Sequence, residues 1–136
     1  ADAVAARQCA TVEELLEQSD FVSLHCPGGK ETRHLMNAER LKRMKPSAIL
    51  INSARGDVVD EQALAAALRS GTITAAGLDV YENELRVTEE LLGMENVVLL
   101  PHLGSATRET RVAMGMRVLE NVEAFFAGQP PRDRVA

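Results

Sequence analysis

Three residues capable of ion-pair or acid–base chemistry each follow a short apolar run of the sequence. Arg55 comes after the run AILI, Glu84 after the run ending in LDVY, and His102 after VVLLP. A guanidinium can grip a carboxylate with two hydrogen bonds, and an imidazole can move a proton near neutral pH. A carboxylate beside the imidazole would orient the ring and favour its protonated form. The set suits reduction of a 2-oxo acid, with Arg55 holding the acid group while His102 protonates the oxygen as hydride reaches the carbon.

Each of these residues also has an ordinary structural interpretation. Arg55 could be a solvated loop residue, Glu84 could be surface charge among neighbouring glutamates, and His102 could cap the helix that follows. Together they favour a site, because ligands of an open parallel sheet bind beyond the carboxyl ends of its strands. We therefore expect all three side chains at one edge of a sheet.

The elements that must position these residues alternate between strands and helices. Strands are predicted at 21–26, 47–52, 75–81 and 97–100, and helices at 12–18, 38–45, 61–70 and 105–127, with a helical turn near 88–92. Helix starts are indicated by Thr11, Asn37 and Asp60, whose side chains can accept hydrogen bonds from first-turn amides. The strands are continuously apolar, which is typical of a parallel sheet covered by helices on both faces. The predicted fold class is therefore α/β.

Length and composition limit the class of protein. The chain has 136 residues, enough for one domain with a real core. A net charge of -5 and scattered basic residues argue against nucleic-acid binding, and no apolar run approaches the length of a membrane span. Cys9 and Cys26 have neither redox-pair nor metal-ligand spacing, so we expect no metal site and a reducing, cytoplasmic setting.

Four segments of the sequence carry a resemblance to a known family. They are SLHCP (23–27), ETRHLMNAERLKRMKPSAILINSARGDVVDEQAL (31–64), AAGLDVYENE (75–84) and NVVLLPHLGSATRET (96–110). In this order and spacing they resemble the D-isomer-specific 2-hydroxyacid dehydrogenases, which include glyoxylate/hydroxypyruvate reductases and phosphoglycerate dehydrogenase. The resemblance implies the second half of a Rossmann NAD(P)-binding domain, NAD or NADP as cofactor, a small 2-oxo or 2-hydroxy acid as substrate, and a homodimer.

The resemblance also implies roles for individual residues. It makes Arg55 the binder of the substrate carboxylate, His102 the general acid and base, and Glu84 its acidic partner. Cofactor contacts are implied for Cys26, Pro27, Ser53, Ala54, Arg55, Asp79, His102, Gly104 and Ser105. The sequence departs from the family pattern at Leu85, where proline is usual, and at residues 28–30, where Gly-Gly-Lys replaces a more usual apolar-Thr-Pro stretch.

The glycine loop that cradles a dinucleotide pyrophosphate is missing from the sequence. No G-x-G-x-x-G occurs, and the resemblance puts that loop upstream of Ala1. Residues 1–104 are therefore predicted to be the carboxyl-terminal half of a dinucleotide-binding domain, and 105–136 a long helix and tail leading toward a substrate domain. The isolated chain is predicted to be inactive and to bind dinucleotide weakly or not at all.

Two other interpretations remain open from the sequence. One is a non-catalytic, dinucleotide-sensing or corepressor-type module of the same fold, and the other is a Rossmann-like binding domain outside the family. The joint presence of Arg55, Glu84 and His102 favours an enzyme over the first, although fold alone could not decide it. The order of the four segments argues against the second.

Overall fold

The computed structural model describes residues 6–135, in which strands and helices alternate. The strands are β1 (Phe21–Leu24), β2 (Ile49–Asn52), β3 (Ala75–Leu78) and β4 (Val97–Leu99). The helices are α1 (Val12–Gln18), α2 (Ala38–Leu41), α3 (Glu61–Arg69), α4 (Glu89–Leu92) and α5 (Arg108–Phe126), with a 3₁₀ turn at Gly56–Val58. The chain divides into two compact units, the first ending at Pro101 and the second beginning at His102.

The four strands of the first unit form a parallel sheet in chain order, β1-β2-β3-β4. Phe21 pairs with Ile49, which pairs in turn with Ala75, so the register runs straight across three strands. Parallel neighbours need a long crossover, and α2, α3 and α4 lie in the three connections. The predicted α/β class with a parallel sheet and flanking helices is confirmed.

In the described residues of the first unit, helices pack against one face of this sheet. Alternate strand residues on that face are buried with apolar side chains of α1 to α4, and they include Val22, Leu24, Leu50, Ala76 and Leu78. On the opposite face Phe21 is 68% exposed and Val98 is 63% exposed. The prediction of helices on both faces is therefore wrong for this part of the chain. Right-handed crossovers that all step in one direction along a sheet put their helices on the same side.

The helix starts predicted from local sequence are confirmed. The side chains of Thr11, Asn37 and Asp60 accept hydrogen bonds from first-turn amides at 3.1, 3.1 and 2.9 Å. Helix α5 begins at Arg108 rather than near 105, because the side chain of Thr107 accepts from the amide of Thr110 at 3.2 Å. Each of these caps satisfies an amide that the helix itself leaves without a partner.

The second unit consists mainly of α5, none of whose residues is buried. Apolar residues recur along it at helical spacing and are exposed: Val112, Met116, Leu119, Val122 and Phe126. The tail is tied to this helix where Nδ2 of Asn121 donates to Oδ2 of Asp133 at 2.8 Å. Within residues 6–135, no helix has the length and apolar character needed to cross a membrane.

We expect the chain on its own to self-associate, because both units expose apolar surface that is unfavourable in water. Light scattering over a concentration series should give a mass above the 14.8 kDa of one chain. The double variant Phe21→Thr, Val98→Thr removes apolar surface from the open sheet face and should shift the equilibrium toward monomer. A wild-type chain that stays monomeric at high concentration would contradict this expectation.

Candidate active site

The last residue of β2, Asn52, folds the segment that follows it. Its side chain is 1% exposed. Nδ2 donates to the carbonyl of Arg55 at 2.9 Å, and Oδ1 accepts from the amide of Ala54 at 3.1 Å. One buried amide thus closes the turn that carries Ser53, Ala54 and Arg55. Asn52 is not among the residues predicted from the sequence, although a side chain with both a donor and an acceptor at the end of a buried strand was an available signal.

A cleft of about 750 Å³ lies beyond the carboxyl ends of β1 and β2. Five of the residues expected to contact a cofactor line it together: Cys26, Pro27, Ser53, Ala54 and Arg55. His25, Gly28 and Asp57 complete its lining. The structure therefore brings together the predicted residues from the two loops that follow the first two strands.

Asp57 holds the Gly28-Gly29 segment against this cleft. Oδ2 of Asp57 accepts a hydrogen bond from the amide of Gly29 at 2.8 Å. A Cβ built at Gly28 would lie 2.5 Å from Oδ1 of Asp57. The glycine at position 28 thus allows a close contact between the two loops, because a side chain there would require Asp57 to move.

Arg55 lies at the surface of the cleft. Its backbone is extended, with a φ of -147°, and its Nη1 donates to the carbonyl of Ala54 at 2.6 Å. A guanidinium has five N–H groups in a planar fork, so this contact leaves it able to bind a planar anion with two parallel hydrogen bonds.

Gly56 brings the loop after β2 against the loop after β3. A Cβ at this position would lie 1.9 Å from the carbonyl carbon and oxygen of Tyr81 and 2.4 Å from the amide nitrogen of Glu82. Real Cβ atoms do not approach backbone so closely, so the glycine is required by the lack of space. The sequence indicated a glycine next to Arg55, and the structure identifies the neighbouring backbone that requires it.

The loop after β3 is held by Tyr81 and by Glu61 at the start of α3. The Tyr81 hydroxyl donates to the carbonyl of Leu100 at 2.6 Å. Burial, helped by the charge of Asp79, raises the pKa of Tyr81, so its hydroxyl can donate this bond up to a higher pH than an ordinary tyrosine could.

Glu61 is a buried carboxylate, 3% exposed, that fixes both ends of this loop. Its Oε1 accepts from the amide of Glu82 at 2.7 Å, and its Oε2 accepts from the hydroxyl of Thr88. Glu61 is not among the residues predicted from the sequence, because a glutamate in a first helical turn is ordinarily exposed to solvent.

Glu84 lies in a tight turn within that loop. The amide of Arg86 donates to the carbonyl of Asn83 at 2.9 Å, and Leu85 between them is fully exposed with a φ of 79°. Proline, with φ fixed near -65°, could not adopt this conformation, so Leu85 permits a turn that the usual family residue would exclude. Glu84 lines a cleft with Asn83 and Thr88 that is separate from the cleft of Arg55.

The remaining predicted residues are divided between the two units. The amide of Asp79 donates to the carbonyl of Asn52 at 2.9 Å, which puts Asp79 at the carboxyl edge of the sheet. His102, with Gly104 and Ser105, belongs to the second unit and has a left-handed φ of 56°, which is uncommon for a residue other than glycine. Because Thr107 caps α5, His102 is not the helix cap. That Arg55, Glu84 and His102 act as one set stays a prediction.

Among residues 6–135, no group of three or more His, Cys, Asp or Glu side chains could hold a metal ion. The polar side chains that shape the candidate site instead bind one another and the backbone. In the same part of the chain, every buried side-chain nitrogen and oxygen has a hydrogen-bond partner.

Comparisons with known proteins identify the family and the fold of the chain. Residues 1–104 match the family described as D-isomer specific 2-hydroxyacid dehydrogenase, NAD binding domain. The glyoxylate reductase of Pyrococcus furiosus is 55% identical over 120 residues, which cover 88% of this chain and 36% of that protein.

Solved structures show the same fold. The NADPH-dependent glyoxylate/hydroxypyruvate reductase of Sinorhizobium meliloti is 43% identical with a TM-score of 0.87, over 93% of this chain and 40% of that one. The D-lactate dehydrogenase of Lactobacillus jensenii, solved with NAD+, is 32% identical with a TM-score of 0.83, over 93% of this chain and 42% of that one. The chain thus spans less than half the length of the proteins it matches.

The close approach at Gly56 predicts a large cost for adding one methyl group. We expect Gly56→Ala to lower the free energy of unfolding by about 1–3 kcal/mol or more, the usual range for overpacking. Urea denaturation of the chain followed by circular dichroism measures the change. Gly93→Ala is the matched control, because a Cβ at Gly93 meets no atom within 4 Å. Equal stability of the two alanine variants would show that the loops after β2 and β3 can separate at no cost.

Proposed function

Because the chain belongs to the D-isomer specific 2-hydroxyacid dehydrogenase family, we propose that it is the carboxyl-terminal part of the cofactor domain of a reductase acting on a small 2-oxo acid. The family consists of oxidoreductases that use NAD or NADP. The observation that carries the proposal is the cleft in which Arg55 meets the loop after β1. The names of the relatives favour glyoxylate or hydroxypyruvate as substrate.

The proposed reaction assigns one role to each residue of the set. Arg55 binds the substrate carboxylate with its planar fork and so orients the neighbouring carbonyl group. A reduced dinucleotide, when bound, would supply the hydride that reaches the carbonyl carbon and would be left oxidised. His102 would donate a proton to the carbonyl oxygen, which gives the hydroxyl group. Glu84 orients the His102 imidazole. In the reverse direction His102 accepts the proton.

The cofactor is proposed to contact residues of both units. In the first unit these are Cys26, Pro27, Ser53, Ala54, Arg55 and Asp79, and in the second they are His102, Gly104 and Ser105. Support comes from the cleft that five of them line and from Gly28, where a side chain would collide with Asp57. Without a G-x-G-x-x-G loop in the sequence, we expect the chain alone to bind dinucleotide weakly and to be inactive.

The setting and assembly of the whole enzyme are part of the same proposal. Cys9 and Cys26 are both free thiols, which supports a reducing, cytoplasmic setting. The exposed apolar residues of α5 support a homodimer. Residues 1–104 are proposed as the half-domain that binds the cofactor, and 105–136 as the helix and tail that lead to the substrate domain.

Arg55→Lys should damage the use of substrate far more than the binding of cofactor. Lysine keeps the positive charge and loses the fork that binds both carboxylate oxygens. In the full-length enzyme we expect kcat/KM for the 2-oxo acid to fall by about 10-fold or more, the scale of a lost charge-assisted hydrogen bond, with little change in the dinucleotide Kd. A collapse of cofactor affinity with normal substrate use would assign Arg55 to the other ligand.

His102→Gln should lower kcat of the full-length enzyme by about 100-fold or more, the usual effect of losing a general acid. Stopped-flow measurement of NAD(P)H oxidation with the 2-oxo acid tests this directly. Turnover by the wild-type enzyme distinguishes a reductase from the non-catalytic sensing module. Near-normal turnover of the variant in both directions would remove His102 from the mechanism.

A further inference from the structure

A polar cluster outside the Arg55 cleft joins the segment before α2 to the loop after β3. Its centre is the carboxylate of Glu82, whose side chain is 19% exposed. Oε1 of Glu82 accepts from Nε2 of His34 at 2.7 Å and from Nη2 of Arg33 at 2.8 Å. An ionised carboxylate only accepts hydrogen bonds, so Nε2 of His34 must carry the hydrogen. None of these three residues has a role in the proposed reaction described above.

The backbone of His34 is held in an unusual conformation. Its φ is 50°, in the left-handed region that non-glycine residues seldom adopt. The amide of His34 donates to the carbonyl of Asp57 at 2.7 Å, and the amide of Met36 donates to the carbonyl of Val58 at 3.0 Å. Strained backbone of this kind persists only where its surroundings hold it. The contacts with residues 57 and 58 hold His34 where its ring reaches Glu82.

Glu82 is held through both its backbone and its side chain, and the turn that contains Glu84 begins at the next residue. Its amide is bonded to buried Glu61 and its backbone touches Gly56. Immediately after it, the chain turns from Asn83 to Arg86 at the surface. The direction in which this turn leaves the sheet therefore depends on how Glu82 is fixed. The hydrogen bond from His34 fixes the side chain of Glu82, and the hydrogen bond to Glu61 fixes the backbone of Glu82.

We propose that His34 is a positioning residue, which acts through Glu82 to set the place of the turn that carries Glu84. The inference rests on the proposed function, since it concerns the alignment of Glu84 for reduction of a 2-oxo acid. Misplacing a catalytic group by about 1 Å can cost about 100-fold in rate. We therefore expect that loss of the hydrogen bond from His34 to Glu82 lowers kcat and leaves the cofactor cleft beyond β1 and β2 intact.

Two substitutions of His34 separate the effect of its side-chain hydrogen bond from the effect of its backbone conformation. His34→Gln keeps an N–H donor at about the reach of Nε2. His34→Asn is too short to reach Glu82, yet asparagine tolerates the left-handed backbone better than most residues do. If His34 had only a structural role, the kcat of the asparagine variant would be at least as high as that of the glutamine variant. If His34 positions Glu82, the kcat of the asparagine variant is the lower of the two.

The experiment measures both variants in the full-length enzyme. We expect His34→Asn to lower kcat by about 10-fold or more, with the dinucleotide Kd and the melting temperature near wild type, and His34→Gln to stay within about 3-fold of wild-type kcat. His34→Asn should add little to the loss in a Glu82→Gln background, because the two residues act as one pair.

The controls separate this proposal from the one on which it rests. A wild-type enzyme that does not reduce 2-oxo acids would overturn the proposed function and the role of His34 with it. Normal wild-type turnover together with equal kcat values for the asparagine and glutamine variants would overturn the role of His34 alone. Additive losses in the double variant would likewise show that His34 does not act through Glu82.

Discussion

The backbone contact between Gly56 and Tyr81 is the constraint on which the rest of the candidate site depends. It allows the loop after β2 to lie directly against the loop after β3, closer than any side chain would permit. The turn that displays Arg55 precedes this contact by one residue. Glu82, which anchors the other loop, follows it directly. The two loops are therefore positioned relative to each other by a contact between backbone atoms. Such a contact does not change when side chains change rotamer.

Buried polar side chains hold the two loops that Gly56 brings together. Asn52 closes one loop from the end of β2, and Glu61 holds the other from the start of α3. Burying an amide or a carboxylate is costly unless its hydrogen bonds are made. Asn52 makes its bonds with backbone groups of its loop, and Glu61 bonds to one backbone amide and to the hydroxyl of Thr88. Such bonds are directional, so they fix the loops more precisely than apolar packing does. The residues proposed to meet substrate and cofactor can therefore remain exposed.

Sequence reasoning succeeded where both partners of an interaction are close in the chain. The cap at Asp60 is an example, because its side chain and the amide it accepts from are three residues apart. It failed for Glu61, whose partner Thr88 is 27 residues away. It also failed for the open sheet face, because apolar strands do not reveal the direction in which the crossovers step. The turn that carries Glu84 has a left-handed φ at Leu85, a conformation that no sequence pattern indicated.

The strand order β1-β2-β3-β4 follows the order in which the chain is synthesised. Strands β2, β3 and β4 each pair with the strand that precedes them in the chain, so this sheet can grow by adding one helix and one strand at a time during synthesis. No strand has to wait for a later one to be inserted between it and its predecessor. The loops that must close are correspondingly short, which keeps the entropy of closure low. A half-domain built in this way can reach its own topology during translation.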